Sequence, residues 1–63
     1  MQPHQERVVR ERAELLEKIE KLGAFVGGSI CRSLPVDEQV RLKAQHGFMS
    51  LYLAVLDERI AAF

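Results

Sequence analysis

The chain has 63 residues, nine basic and nine acidic, so its formal net charge at pH 7 is zero. A chain this short buries only about 60% of the surface that its unfolded form exposes, so one domain with its own core is marginally stable. Balanced charge argues against duplex nucleic acid as a partner, since that binding draws on many cationic contacts with phosphates. The single cysteine, Cys31, excludes an internal disulfide, and no Cys or His spacing indicates a metal site. Oligomerisation remains as the route to stability.

The first predicted helix covers residues 3 to 26. Its apolar residues form one stripe at helical period: Val8, Leu15, Ile19, Leu22 and Val26. Glu14 precedes Lys18 by four residues, and Glu17 precedes Lys21 by four, which is the favourable order for ion pairs on a helix. The charged residues therefore indicate a solvated helix face.

A hinge is predicted over residues 27 to 35. Gly27 and Gly28 end the first helix, because glycine accepts the backbone conformations found just past a helix end. A further helical turn around Ile30 is compatible with the sequence, and we expect Ile30 and Leu34 to tuck under the bundle. No strand-like alternation occurs anywhere in the chain.

The second predicted helix, residues 36 to 61, is apolar on nearly all sides. One broad stripe on a helical wheel holds Leu42, Met49, Tyr52, Leu53, Leu56, Ile60 and Phe63. A second apolar face lies roughly a third of a turn away and holds Ala44, Phe48, Leu51, Val55 and Ala62. The first helix can cover only one of these faces, so we expect the second face to meet another subunit.

These patterns predict a single all-α domain, residues 1–63, that forms an antiparallel two-helix hairpin and oligomerises into a helical bundle as a dimer or higher assembly. The predicted oligomer interface consists of Gly47, Phe48, Leu51, Ala54 and Val55. Glycine inside a helix costs about 1 kcal/mol relative to alanine. Gly47 therefore indicates either the close approach of another backbone or space for a ligand.

No sequence signature indicates catalysis. There is no nucleophile elbow, phosphate-binding loop or zinc-protease motif, so the chain is expected not to be an enzyme and to use no cofactor or metal. The longest apolar run, Leu51–Leu56, is far shorter than the ~20 residues of a membrane-spanning helix, and no signal peptide is visible. We expect a cytoplasmic protein.

Aromatic and cationic residues suggest a ligand site. Phe48 and Tyr52 lie one helical turn apart, with His46 close by in sequence, and the first helix offers Lys18 and Lys21. Aromatic stacking combined with cationic groups is the chemistry that holds bases and phosphates. The same two aromatic residues would also fit a core or an interface.

Two segments carry a family resemblance. The stretch EKIEKLGAFV (residues 17–26), followed by AQHGFMSLYLAV (residues 44–55), resembles the short phage-encoded helical proteins known as anti-CBASS sponges. Those proteins carry a lysine-containing helix that ends in a Leu-Gly-x-Leu-Val pattern, then a Gln-Gln-Gly-Phe-Met segment. Residues Glu14–Leu22 and Met49–Ile60 also resemble motifs of a wider set of short phage and prophage proteins.

The resemblance implies a compact oligomer that sequesters cyclic oligonucleotides of bacterial immune systems without cleaving them. By position, Lys18 corresponds to a lysine of the nucleotide pocket, and residues 45–49 correspond to the Gln-x-Gly-Phe-Met segment, with His46 in place of its second glutamine. Leu53 stands where an arginine for cyclic trinucleotides is expected. An ADP-ribose derivative is therefore an alternative ligand.

The resulting hypothesis is a phage or prophage anti-defence protein, acting in an infected or lysogenic bacterium, that sequesters a cyclic nucleotide signal. Its ligand-binding residues would be Lys18, Lys21, His46, Phe48 and Tyr52. Two alternatives stay open: a protein-binding module that docks on and inhibits a host protein through its apolar helix face, and a purely structural oligomer.

Overall fold

The computed structural model describes all residues 1–63 and contains three helices: α1 (Pro3–Val26), α2 (Ser29–Arg32) and α3 (Val36–Ala61). No strand is present, so the predicted all-α class is confirmed. α1 and α3 pack side by side in a molecule that measures 46 × 14 × 13 Å. None of the helices combines the length and the apolar character needed to cross a membrane.

The ends of α1 are set by local hydrogen bonds. The backbone N–H of Gln2 donates to Oε1 of Gln5 at 2.9 Å, and Pro3 occupies the first helical position. Proline suits that position because the N–H that it lacks has no partner within the helix. At the other end, the N–H of Gly27 donates to the carbonyl of Gly23 at 3.1 Å and closes the last turn.

α2 occupies the predicted hinge and buries Cys31, which is 1% exposed. The prediction that Ile30 tucks under the bundle is wrong, because that side chain is 66% exposed. Successive residues of a helix point about 100° apart, so a single turn that directs Cys31 inward directs Ile30 outward. The Gln39 side-chain amide donates to the carbonyls of Leu34 at 2.7 Å and Arg32 at 3.2 Å, which ties the hinge to α3.

The core lies along one seam between α1 and α3. Four buried residues form it: Val8, Leu15, Ile19 and Leu56. Three partly buried side chains of α3 pack against them: Met49, Leu53 and Ile60. The core therefore joins the stripe of the first predicted helix to part of the broad stripe of the second.

Two contacts define the register of the helices. Arg12 Nε lies 2.7 Å from Asp57 Oδ1, and a Cβ atom built on Gly23 would lie 3.1 Å from Nε2 of His46. The residue numbers 12 and 57, like 23 and 46, add up to 69. A constant sum is what two antiparallel helices in a fixed register produce, so α1 and α3 form a hairpin.

The second apolar face of α3 stays in contact with water. We call it the outer face; its members are Ala44, Phe48, Leu51, Val55 and Ala62, and all five are exposed. Phe48 is 70% exposed, Leu51 65% and Val55 51%, whereas only five residues of the whole chain are buried. A single chain therefore leaves more large apolar side chains in water than it buries.

Candidate functional site

One concavity, with a volume of about 520 Å³, lies on the surface of α3. Its lining consists of Arg41, Ala44, Gln45, Phe48, Met49 and Tyr52. These positions follow one another at intervals of three, one, three, one and three residues, which keeps them on one face of the helix. Because a single helix supplies every wall, the concavity is wide open to solvent and cannot enclose a ligand by itself.

Two polar side chains stand among the apolar ones. Arg41 donates from Nε to Glu38 Oε1 at 2.8 Å, which leaves the outer N–H groups of its guanidinium free. Gln45 lies beside Met49, with Nε2 3.9 Å from the sulfur atom, so its amide has no strong partner. The concavity thus combines an aromatic and aliphatic wall with hydrogen-bond donors and one positive charge.

Arg41 and Gln45 were not among the five predicted ligand-binding residues, although Gln45 belongs to the segment of residues 45–49 on which the family resemblance rests. The signal that finds them is positional, since 41, 45, 48 and 52 recur at intervals of four, three and four residues. The aromatic residues Phe48 and Tyr52 were predicted from their chemistry, and both line the concavity.

His46 points toward α1 and does not line the concavity. Its side chain packs over Gly23, where the absence of a Cβ atom leaves room for the imidazole ring. His46 is half-buried, and the carbonyl of its own backbone accepts a hydrogen bond from Ser50 Oγ at 2.9 Å. The ring therefore lies where the two helices touch.

Lys18 lies on α1, outside the lining but on the same side of the hairpin. The constant register sets Lys18 level with Leu51. At about 100° per residue, Lys18 lies about 120° around α1 from Arg12. Tyr52 lies about 140° around α3 from Asp57, in the same rotational sense when each helix is viewed from its own N-terminus. Both therefore lie on the side of the hairpin away from the Arg12–Asp57 ion pair.

Lys21 is paired with a carboxylate of its own helix. Its Nζ lies 2.9 Å from Oε1 of Glu17, and both side chains are well exposed. The hydrogen bond from Lys21 lowers the pKa of the Glu17 carboxyl, and the positive charge of Lys21 acts in the same direction. A phosphate at Lys21 would have to compete with this carboxylate, whereas Lys18 forms no ion pair.

The predicted interface residues are all exposed: Gly47, Phe48, Leu51, Ala54 and Val55. A Cβ atom on Gly47 would meet nothing within 4 Å, so packing within the chain does not require glycine there. The five residues do not form one patch around the concavity, because Gly47 and Ala54 lie on the other flank of the outer face.

The chemistry of this surface is that of binding. The concavity offers aromatic rings, a thioether, an amide and a guanidinium, and it contains no histidine, cysteine or carboxylate. No group of three or more His, Cys, Asp or Glu residues gathers anywhere in the chain. The fold and the site together define a small all-α protein with an open, mostly apolar concavity on one helix.

The Sequestin family model matches residues 2–62, and the chain belongs to the Sequestin family. The name of the family describes the sequestering of a molecule, a binding rather than a catalytic role. Membership is consistent with the resemblance to small phage sponges. No curated protein and no solved structure matches the chain.

Proposed function

We propose that this protein sequesters a cyclic nucleotide immune signal without cleaving it, as a phage or prophage anti-defence protein in the cytoplasm of its bacterial host. The observation that carries the proposal is the concavity of α3, where Phe48 and Tyr52 stand beside Arg41 in a member of the Sequestin family. The phage origin and the anti-defence role come from the resemblance to phage sponges.

Each component of such a ligand has a counterpart near the concavity. Stacking of a base on an aromatic side chain contributes roughly 1–3 kcal/mol, and Tyr52 and Phe48 offer such rings. The guanidinium of Arg41 matches the geometry of phosphate oxygens, and Lys18 would neutralise a second phosphate from α1. Lys21, which is paired with Glu17, would add a contact from the margin, whereas His46 packs against Gly23 of α1 and does not face the concavity. In the proposed role, the ligand would be held and released intact.

Self-association is part of the proposal. Pockets for small molecules bury roughly 70–90% of the ligand surface, which one open helix face does not achieve. The outer face adjoins the concavity and is apolar and exposed. A second copy packed on that face would remove the apolar side chains from water and close the concavity.

The direct test is a calorimetric titration of the pure protein with cyclic dinucleotides, cyclic trinucleotides and cyclic ADP-ribose isomers, with the mass in solution measured alongside. We expect sub-micromolar binding of one ligand, which is recovered unchanged after denaturation of the protein. Turnover of that ligand would indicate an enzyme instead. Failure of the oligomer to bind any ligand of the panel would overturn the nucleotide proposal.

Replacement of Lys18 by alanine tests the contribution of α1. Loss of one charge-assisted contact should weaken ligand binding about tenfold and leave the oligomer intact. Lys43→Ala is the matched control, because Lys43 is an exposed lysine on the other side of α3. Equal binding by Lys18→Ala and the unmodified protein would show that Lys18 does not contact the ligand.

A second candidate function is a protein-binding module that docks on a host protein and inhibits it. The exposure of Phe48, Leu51 and Val55 favours it, because an apolar helix face is also the surface with which a helix enters the groove of a partner. A stable complex with one host protein, together with no nucleotide binding, would favour this function over sequestration.

A further inference from the structure

The exposed side of α3 follows a seven-residue repeat. Seven positions alternate in steps of three and four residues: Arg41, Ala44, Phe48, Leu51, Val55, Glu58 and Ala62. They are the five residues of the outer face, with Arg41 added before Ala44 and Glu58 added between Val55 and Ala62. We call them the seam, and every one of them is exposed. This spacing is that of the core positions in a two-stranded coiled coil.

The two charged members of the seam decide how a second helix could pack on it. Arg41 lies near one end and Glu58 near the other. In a parallel pair in register, Arg41 would face Arg41 of the partner subunit, and the two copies of Glu58 would also face each other. In an antiparallel pair, each Arg41 faces the Glu58 of the other copy. Opposite charges therefore favour the antiparallel arrangement.

We propose that two copies of this chain pair antiparallel through the seam, about a two-fold axis between Met49 and Ser50. The proposal rests on the self-association proposed above and specifies its partner, face and register. Phe48 packs against Leu51 of the partner subunit, Ala44 against Val55, and Arg41 against Glu58. Each contact occurs twice because of the symmetry.

The residues beside the seam agree with this register. On the flank that carries the concavity, Glu38 meets Arg59 of the partner subunit, and Gln45 meets the hydroxyl of Tyr52. The opposite flank carries small or short side chains, Val40, Gly47, Ala54 and Ala61, all exposed. Because these side chains are short, the backbone of the partner helix can approach closely on this flank. It would occupy the open space around Gly47.

Within one chain, Arg41 and Glu58 cannot form an ion pair with each other. Arg41 and Glu58 are 17 positions apart on α3, which is about 25 Å along a helix axis. Neither Glu58 nor Arg59 forms an ion pair in the single chain, and Arg41 is bonded only to Glu38. The dimer thus supplies partners that the chain lacks.

Pairing also joins the two concavities. Gln45 and Tyr52 of both copies lie on the same flank and meet near the two-fold axis, while Phe48 and Arg41 become part of the interface. Lys18 is then the cation proposed for the ligand phosphate. Tyr52 is then the aromatic residue that faces a ligand, and each ligand site takes residues from two chains.

Charge reversal tests the register by sedimentation equilibrium at low salt. We expect Glu58→Arg to weaken the dimer roughly tenfold, because two attractive pairs become two repulsive ones. Arg41→Glu should weaken it similarly, and the double variant should recover most of the loss. Lys43→Glu is the control, since it changes a charge outside the seam and should leave the dimer unchanged. Additive losses in the double variant would overturn the antiparallel register.

Cysteine cross-linking tests the same geometry independently of charge. Ala44 and Val55 are 11 positions apart in one chain, about 16 Å, so Ala44→Cys with Val55→Cys can form a disulfide only between chains. We expect the double variant to form covalent dimers on mild oxidation and each single variant to form none. Cross-linking of either single variant would indicate parallel helices and refute the proposal. The native Cys31 is buried and should not take part.

The two proposals can fail separately. A dimer that forms the expected cross-links but binds no nucleotide would support the proposed pairing and refute the proposed ligand. A protein that binds nucleotide but stays monomeric at every concentration would refute the proposed pairing and support the proposed ligand.

Discussion

Two glycines lie inside the long helices, and their surroundings differ. A Cβ atom at Gly23 would lie 3.1 Å from the imidazole of His46, which is tighter than ordinary van der Waals contact. A Cβ atom at Gly47 would meet nothing within 4 Å. Gly23 therefore serves the contact between α1 and α3, and Gly47 serves nothing within the single chain.

Alanine at these two positions should have different effects. Gly47→Ala should raise the free energy of unfolding by about 1 kcal/mol, the difference in helix propensity. Gly23→Ala should give a smaller gain or a loss, because His46 has to move. Chemical denaturation of both variants at one low protein concentration measures this. Equal stabilisation by the two would mean that His46 does not pack on Gly23.

The Glu17–Lys21 pair predicts a pH effect of known sign. Because Lys21 lowers the pKa of Glu17 in the folded state, this pair adds stability above the ordinary pKa of 4.5 and loses it as the pH falls through the lowered value. In Lys21→Met, the pKa of Glu17 should rise to its ordinary value. NMR titration of the side-chain carboxyl carbon measures it, and an unchanged pKa in the variant would exclude Lys21 as the cause.

At the level of the helices, the period of the apolar residues predicts which side of a long helix is buried. It does not predict the orientation of a segment too short to show a period. The stripe of Val8, Leu15 and Ile19 indicates the buried side of α1 because it recurs over several turns. α2 has four residues and no period, so the inward direction of Cys31 rather than Ile30 depends on how the chain enters and leaves the hinge.

The candidate site was predictable in part, for a related reason. The chemistry of Phe48 and Tyr52 marks them as ligand-binding candidates, whereas Arg41 joins them only through its place on the same face of α3. The direction of His46 follows from the register of α1 against α3. Register depends on contacts between residues far apart in sequence, which no local pattern contains.

Two neighbouring residues of α3 should lose very different amounts of stability on truncation to alanine. Leu56 is fully buried and Val55 lies on the outer face, so Leu56→Ala should cost about 2–5 kcal/mol in the free energy of unfolding of the monomer, and Val55→Ala less than about 1 kcal/mol. Denaturant titration at high dilution measures both. A large loss with Val55→Ala at high dilution would mean that the outer face is buried within the chain.

At the scale of the whole molecule, the proposed self-association would couple the stability of the fold to assembly. With five buried residues in the single chain, association through α3 should supply much of the apolar burial. The thermal midpoint should therefore rise with protein concentration, since a partner that binds only the folded chain stabilises it by mass action.

The variants described above separate the two contributions. Leu56→Ala should lower the midpoint at every concentration and keep its concentration dependence, whereas Val55→Ala should reduce that dependence. Differential scanning calorimetry over a hundredfold range of concentration distinguishes these cases. A midpoint independent of concentration in the unmodified protein would show that the single chain is stable alone.

The concavity takes all six of its lining residues from α3 and none from α1. The concavity and the core therefore use different faces of α3, and Met49 contributes to both. If the concavity binds the proposed ligand, substitutions at Gln45 and Tyr52, which lie outside the core, would alter which molecule is accepted without disturbing how the hairpin folds. In the proposed anti-defence role, a lineage that meets changing host signals could then diversify its targets through a few codons in one helix, and a protein engineer could do the same.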